Sequence, residues 1–557
     1  MRKLVTAVTA AVLVSMLVPA PARAATRVRV RGGGWGHGIG MSQYGAFGRA
    51  RRGAGATQIL EHYYTRAHVR RANMPRNIRV GLLQYRSSIS SSSEVFSGGE
   101  GRIAFTVNGK RIAAGRDSTR WRVERSSTGG MRLYKNGNRV RRDGKRVFGS
   151  PRSPFVAVYE KFGSKLRISE KSNSYAYGRM VFGTYSSPSC GGEFCLRLVL
   201  SLPMQKYLYG LGEVPSSWPQ ASLRSQAIAG RTYAFEKVRR SGQHRYPCDC
   251  AVYDSTLDQA YIGDAKRTGS GVYWDDWKGA VNATRRKVIL YRGAPIQALY
   301  SSSSGGHTEN NENVWGSSPL PYLRGVSDRP DDVSANPNHT WSFSMRWRTF
   351  ENRLQAAYGI GNLEAFTLVR PFGVSGRVTV VKPGNRGGVR IRGSRKTVRV
   401  SGWSVRSALS LKDTLFRVEI IRSAGSNSHT VRGTWGIAYR RAGGPNGELG
   451  RPLHERESAS TLPGGGKRQR FASGTLYLNP GLDSIFALWG GIDRKYRSMG
   501  EGSSACGYPI SGIEAIDSGR QATFENGTIT ATASGVEVTC GSSANHLALG
   551  GYALGGW

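Results

Sequence analysis

Between residues 76 and 200 apolar and polar positions alternate, as in Arg79-Val80-Gly81-Leu82-Leu83 and Phe155-Val156-Ala157-Val158-Tyr159, with turn residues such as Asn136-Gly137-Asn138 between the runs. Period-two alternation predicts strands, so this stretch is β-rich. The Ser87–Ser93 run shows no such contrast and reads as a loop. The pattern changes after residue 201. Leu223, Ala227, Gly230 and Ala234 recur three and four apart, which predicts a helix opening after Ser216-Ser217-Trp218-Pro219 and stopping near Gly242. A second helix is predicted over Trp274–Thr284, and Val288–Tyr291 with Ile296–Tyr300 reads as a hairpin. Residues 366–420 return to β character, then Ser404–Leu411 reads as a short helix. Near the start, Gly32–Ala46 carries too many glycines for a helix interior and reads as a tight loop passing close to something. Ile59–Tyr64 reads as a short helix. The fold class this predicts is α+β, β-rich.

From about residue 430 the pattern repeats itself. Ile437-Ala438-Tyr439 matches Arg494-Lys495-Tyr496, Leu449-Gly450-Arg451-Pro452 matches Cys506-Gly507-Tyr508-Pro509, and the Phe471–Leu476 run matches Phe524–Ile529. With 557 residues, the chain is too long for one core. The expected divisions are a Gly-rich segment over 25–75, a β-rich insertion or subdomain over 76–190, a core over 191–425, a small repeat domain over 430–541, and a Gly-rich tail over 542–557.

Charge adds a constraint. Eighty Lys and Arg face 36 Asp and Glu, a formal net charge of +44, which implies polyanionic surroundings: nucleic acid or an anionic wall. Residues 1–24 favour the wall. Arg2 and Lys3, the apolar Leu4–Val18 run and Ala22-Arg23-Ala24 form an export signal with a cleavage site, and the apolar run is shorter than a membrane span. The protein is therefore expected outside the cytoplasm, without a nucleic-acid partner. In that compartment six cysteines suggest disulfides. Sequence proximity pairs Cys190 with Cys195 and Cys506 with Cys540. Cys248 and Cys250 are awkward to bridge to each other and remain weak candidates for a metal or free thiols. With the distant His307 they make no closed zinc pattern, so neither metal nor cofactor is expected.

Three segments carry a resemblance. Tyr207–Pro219 contains Gly212-Glu213-Val214-Pro215 and runs into Ser225-Gln226-Ala227. The second is Tyr300-Ser301-Ser302-Ser303-Ser304-Gly305-Gly306-His307-Thr308-Glu309, and the third is Gly34-Trp35-Gly36-His37-Gly38-Ile39-Gly40-Met41-Ser42-Gln43. Together they resemble the SpoIID/LytB family, over roughly 25–75 and 195–420, and the C-terminal units resemble LGFP repeats of exported wall proteins. In relatives the Gly-His-Gly block follows the β-rich end of the domain, whereas here it comes first, as in a circular permutation.

The resemblance implies a peptidoglycan lytic transglycosylase held at the wall by its repeats. It would act on MurNAc–GlcNAc linkages of glycan strands, preferably peptide-free, and leave 1,6-anhydro ends. Anionic wall polymers are the expected second partner. Glu213 matches the family's catalytic acid. Such chemistry needs one carboxyl group whose proton affinity is raised by burial. His37, Ser42, Gln43, Ser303, His307 and Glu309 are the candidate substrate-binding residues. The serines beside His307 lack the strand-to-helix elbow of a hydrolase nucleophile. The alternative is a non-catalytic wall-binding protein or an enhancer of a cell-wall amidase.

Overall fold

The computed structural model describes residues 26–541, apart from 97, 423–430, 432 and 454–458. The export signal expected over 1–24 and the tail over 542–557 lie outside the described residues. Among these residues the fold is α+β with strands predominating, and no helix is long and apolar enough to cross a membrane.

Residues 77–203, with Val252–Tyr253 added at the edge of one, build two seven-stranded sheets. One contains Asn77–Arg86 beside Phe194–Pro203 and ends on the edge strand Lys110–Gly115; the other contains Ser88–Val95 and Met131–Lys135. Their facing sides share one core, in which Phe105, Trp121, Phe182 and Leu198 are buried. The serine run is a correction. Ser88–Val95 is an interior strand, paired with Arg120–Arg125 on one side and Ser164–Ile168 on the other. Its inward serines are buried, and Trp121 donates its indole N–H to Ser93 Oγ at 2.9 Å. A small hydroxyl fits beneath a large ring and satisfies its donor, so a polar run occupies a core position.

The helix Gln220–Ser241 ends at Gly242, whose φ of 73° terminates it. Leu223, Ala227 and Ala234 on its small-residue face are buried, and the helix packs against Trp274–Ala283. The predicted hairpin is cut short. Lys287–Tyr291 pairs with only Ala294–Pro295 on one side and with His68–Arg71 on the other. Tyr300-Ser301 instead pairs in parallel with Met41-Ser42.

One small sheet joins the two ends of this region. Thr26–Gly33 lies between Thr340–Arg346 and Phe416–Arg422, antiparallel to both. Buried Val28 and Val30 tie it into a second core with Trp347, Phe350 and Leu354. The glycine segment is therefore delivered from a strand anchored in the late part of the chain.

The C-terminal units form two four-stranded antiparallel sheets, Ser460–Trp489 and Glu514–Val538, preceded by the helices Gly433–Arg441 and Gly490–Ser498. Equivalent residues make equivalent bonds. Tyr439 donates its hydroxyl proton to the Gly450 carbonyl at 2.5 Å, and Tyr496 does the same to Gly507 at 2.7 Å. Pro452 bridges Phe471, as Pro509 bridges Phe524.

The structure bonds Cys190 to Cys195 and Cys506 to Cys540. It also bonds Cys248 to Cys250, which corrects their reading as metal candidates or free thiols. Asp249 between them has a φ of 54° and pairs with Arg79 and Arg197, a turn that brings the cysteine Cα atoms to 5.1 Å. Among the described residues no cluster of three or more His, Cys, Asp or Glu is placed to hold a metal.

Candidate active site

The glycine segment is clamped from two directions. Trp35 and Ser303 exchange backbone bonds, and the Glu309 N–H donates to the Gly38 carbonyl at 2.8 Å. Behind it lies a buried ion pair: Arg377 grips Asp413 through two nitrogens at 2.8 and 3.0 Å and donates to the carbonyls of His307 and Ser304. A Cβ on Gly38 would sit 2.4 Å from the Arg377 guanidinium carbon, and the φ there is +70°. Gly34, at φ +78°, would meet Asp413 at 2.6 Å. Only glycine lets the backbone pass this close.

A buried carboxylate ties the serine motifs together. Asp331 accepts from Ser42 Oγ and Ser303 Oγ at 2.7 Å each, from the Ser304 and Gly305 N–H groups at 3.1 Å, and from Asn336 and His339. Ser42 also caps the helix Gln43–Arg51 by accepting from the Gly45 N–H. Three residues before Asp331, Asp328 accepts from Tyr63 and Ser304. Burial, with Asp331 adding to it, pushes the Asp328 carboxyl up to about 7. Ser42 and Ser303 are thus engaged in a buried scaffold.

Glu213 follows the short helix Met204–Tyr209 and precedes the long helix. It is half-buried on the wall of a cleft of about 360 Å³ whose other lining includes Val214, Pro215, Ile262, Lys266 and Tyr273. It is the one carboxylate among the described residues that lines the cleft. Its Oε1 accepts from the Ala260 N–H at 2.7 Å and the Tyr300 hydroxyl at 3.0 Å. Behind Tyr300 runs a chain of amide and phenol groups. Gln259 Nε2 donates to the Tyr300 oxygen at 2.8 Å, and Gln259 Oε1 accepts from Tyr207 at 2.9 Å. Burial raises the Glu213 pKa, against the opposing pull of the Ala260 N–H, the Tyr300 hydroxyl, the Gln43 amide and the Lys266 ammonium. Lys266 itself is buried, donates to the Val214 carbonyl at 2.6 Å, and is pushed by burial down to about 8.

The candidate residues therefore divide. Gln43 stands beside Glu213, and its amide also reaches Gln226 at 3.3 Å. His37 serves the same place indirectly. Its Nδ1 accepts from the Ile39 N–H at 3.0 Å and its ring bonds to the Tyr300 backbone, so it fixes the residue that bonds Glu213. Burial and the nearby Arg377 push His37 down to about 4, keeping it neutral. His307 is half-buried and bonds to its neighbour's carbonyl. Glu309 is fully buried and accepts from Asn310, Asn313, Val374 and Ser375. It braces the loop that carries Arg377. Sequence reasoning singled out neither Tyr300, Gln259, Lys266 nor Asp331. Tyr300 opens a quoted motif, and its position one residue before the serine run was the available signal.

The half-buried glutamate, though not the clamped glycine loop, lies within a stretch that matches a known family. Residues 195–291, which hold Glu213, Gln226, Gln259 and Lys266, match the family described as stage II sporulation protein, SpoIID. Over 242 residues the chain is 27% identical to stage II sporulation protein D of Bacillus amyloliquefaciens, covering 42% of this chain and 65% of that one. Over 192 residues it is 30% identical to an amidase enhancer of Bacillus subtilis, covering 33% of this chain and 24% of that one. An uncharacterised protein of Brachyspira hyodysenteriae is 29% identical over 272 residues, 48% of this chain and 66% of its own length. Residues 195–291 are thus similar to a SpoIID domain, and the chain spans about a quarter to two thirds of the length of these relatives.

Proposed function

We propose that the protein is an exported, wall-associated peptidoglycan lytic transglycosylase with Glu213 as its acid and base. The observation that carries this reading is the placement of Glu213 as the sole carboxylate on its cleft, with proton affinity raised by burial. The protonated carboxyl donates to the oxygen of a MurNAc–GlcNAc linkage as the C1–O bond breaks. The carboxylate then takes the proton of the muramic C6 hydroxyl, whose oxygen closes on C1 to form the 1,6-anhydro ring. No water is consumed, so no second carboxylate is required to activate one, unlike inverting hydrolysis. Tyr300 and the Ala260 N–H hold Oε1, and Lys266 supplies positive charge when Glu213 is ionised. Peptide-free glycan strands are the preferred substrate, and the duplicated C-terminal units, which resemble LGFP repeats, hold the enzyme at the wall.

A second reading is supported by the 30% identity to a protein named amidase enhancer. On that reading the chain binds the wall and activates a separate amidase without cleaving strands itself. The deciding experiment is mass spectrometry of products from purified peptide-free strands, with wild type and Glu213→Gln side by side. Anhydro ends from wild type alone support the transglycosylase. Strand binding without cleavage by either protein sinks it and leaves the enhancer.

A further inference from the structure

A second cleft lies far along the sequence from Glu213, where the edge strand Lys110–Gly115 faces the turn joining Met131–Lys135 to Asn138–Arg139. It has a volume of about 450 Å³ and is lined by Lys135, Arg139, Arg141, Asn136 and Asn138, with no carboxylate. Residues 102–147 around it hold eleven arginines and three lysines against three acids. Lys110, Arg116, Arg120, Lys145 and Arg146, in the same stretch of chain, are exposed and form no salt bridge among the described residues. Arg139 is held with its guanidinium 4.7 Å from the Phe148 ring and 5.8 Å from Tyr134. Lys135 spans the cleft to donate to the Ala114 carbonyl at 2.6 Å.

We infer that this cleft and its cationic rim bind a linear polyol-phosphate polymer. The excess of arginine over lysine favours phosphate, whose oxygens match the guanidinium fork. A ring-stacked arginine has already lost much of its side-chain freedom, so less is lost on binding. The two asparagine amides suit hydroxyl groups between phosphates. The distribution of cations beyond the cleft suits a ligand with many phosphates, not one. Phe148, 57% exposed, is the only large apolar side chain of residues 102–148 standing well out of the surface. That is too little for a base-stacking platform, which single-stranded nucleic acid uses, and too little for insertion into a bilayer. The site is independent of the Glu213 chemistry.

The test is binding of the full chain to purified poly(glycerol phosphate) at several salt concentrations. The variant Arg141→Glu/Lys145→Glu/Arg146→Glu changes only exposed side chains, and an unchanged thermal midpoint confirms its fold. It should bind at least about tenfold more weakly, with a clearly shallower dependence on salt. Reversal of Arg348, Arg395 and Lys396, exposed cations elsewhere, should change affinity less than about twofold. Arg139→Lys, which keeps the charge but loses the fork, should weaken binding severalfold. Equal losses from both triple variants, or no loss from the first, would overturn the site. Equally tight binding of single-stranded DNA or of anionic lipid vesicles would overturn the polyol-phosphate assignment.

Discussion

The hydroxyl of Tyr300 donates to Glu213 Oε1 at 3.0 Å, across 87 residues of sequence. Through it the serine-rich segment, the glycine segment and the glutamate become one unit. His37 bonds to the Tyr300 backbone, Met41 pairs beside it, and Gln259 donates to its oxygen.

Tyr300→Phe removes a bond that stabilises the ionised glutamate. The Glu213 pKa, already raised by burial, should rise further. The alkaline limb of a pH–rate profile for strand cleavage, where the acid loses its proton, should then move to higher pH. The same change leaves one N–H of the Gln259 amide, whose other donates to the Gly230 carbonyl, without its partner in a buried site, at a cost of about 1–3 kcal/mol in thermal or denaturant unfolding. An unmoved limb in a folded variant would remove Tyr300 from the acid's environment.

Gly38→Ala should destabilise the fold by about 1–3 kcal/mol, because strain at positive φ adds to overpacking. The methyl group would press on Arg377, which cannot retreat without releasing Asp413 into a buried, unpaired state. Urea unfolding measures this, and a variant as stable as wild type would show that the loop has slack.

Acid should weaken the fold through His37. Its folded value of about 4 lies below the ordinary 6.5, so the unfolded chain binds the extra proton between those values. Its contribution to stability is therefore complete above about 6.5 and lost as pH falls toward about 4. Asp328 acts in the opposite sense: its value of about 7 means the folded state takes the proton first, and its contribution diminishes as pH rises from about 4 through 7. Comparing His37→Gln with wild type across this range isolates the histidine, since Asp328 is common to both. The variant should lose less stability on acidification, and identical slopes would disprove the argument.

All six cysteines should resist alkylation in denaturant until a reductant is added, and all six should then react. Peptide mapping of Cys248 and Cys250 is the informative part. Modification there without reductant would return both residues to the thiol state.

How much of this was legible depended on how much each element contrasts with its surroundings. Phe155–Tyr159 alternates strongly and forms a strand, and the small-residue face of Gln220–Ser241 is the buried face of a helix. Ser88–Val95 was invisible because hydroxyls occupy both faces, and only the tertiary partner Trp121 distinguishes Ser93 from its neighbours. Glu213 was found through its motif. Its network was not, because Gln259 and Lys266 lie in a stretch with no pattern of its own and meet the glutamate only in three dimensions. The expected hairpin failed for a related reason: local pairing at 296–300 lost to a parallel partner near residue 41. Cys248 and Cys250 bridge because one left-handed aspartate, held by two arginines, changes the local geometry.

The strand Thr26–Gly33 is made early, yet both of its neighbours, Thr340–Arg346 and Phe416–Arg422, are made more than three hundred residues later. A growing chain must therefore hold this strand in waiting. Until the last neighbour arrives, the glycine loop has no anchor on one side, and the tyrosine it supports is not held against the acid. Pairings this distant in sequence are slow to form. A truncated molecule would consequently lack the Tyr300–Glu213 contact, and the assembled site would come into being only once nearly the whole core is present.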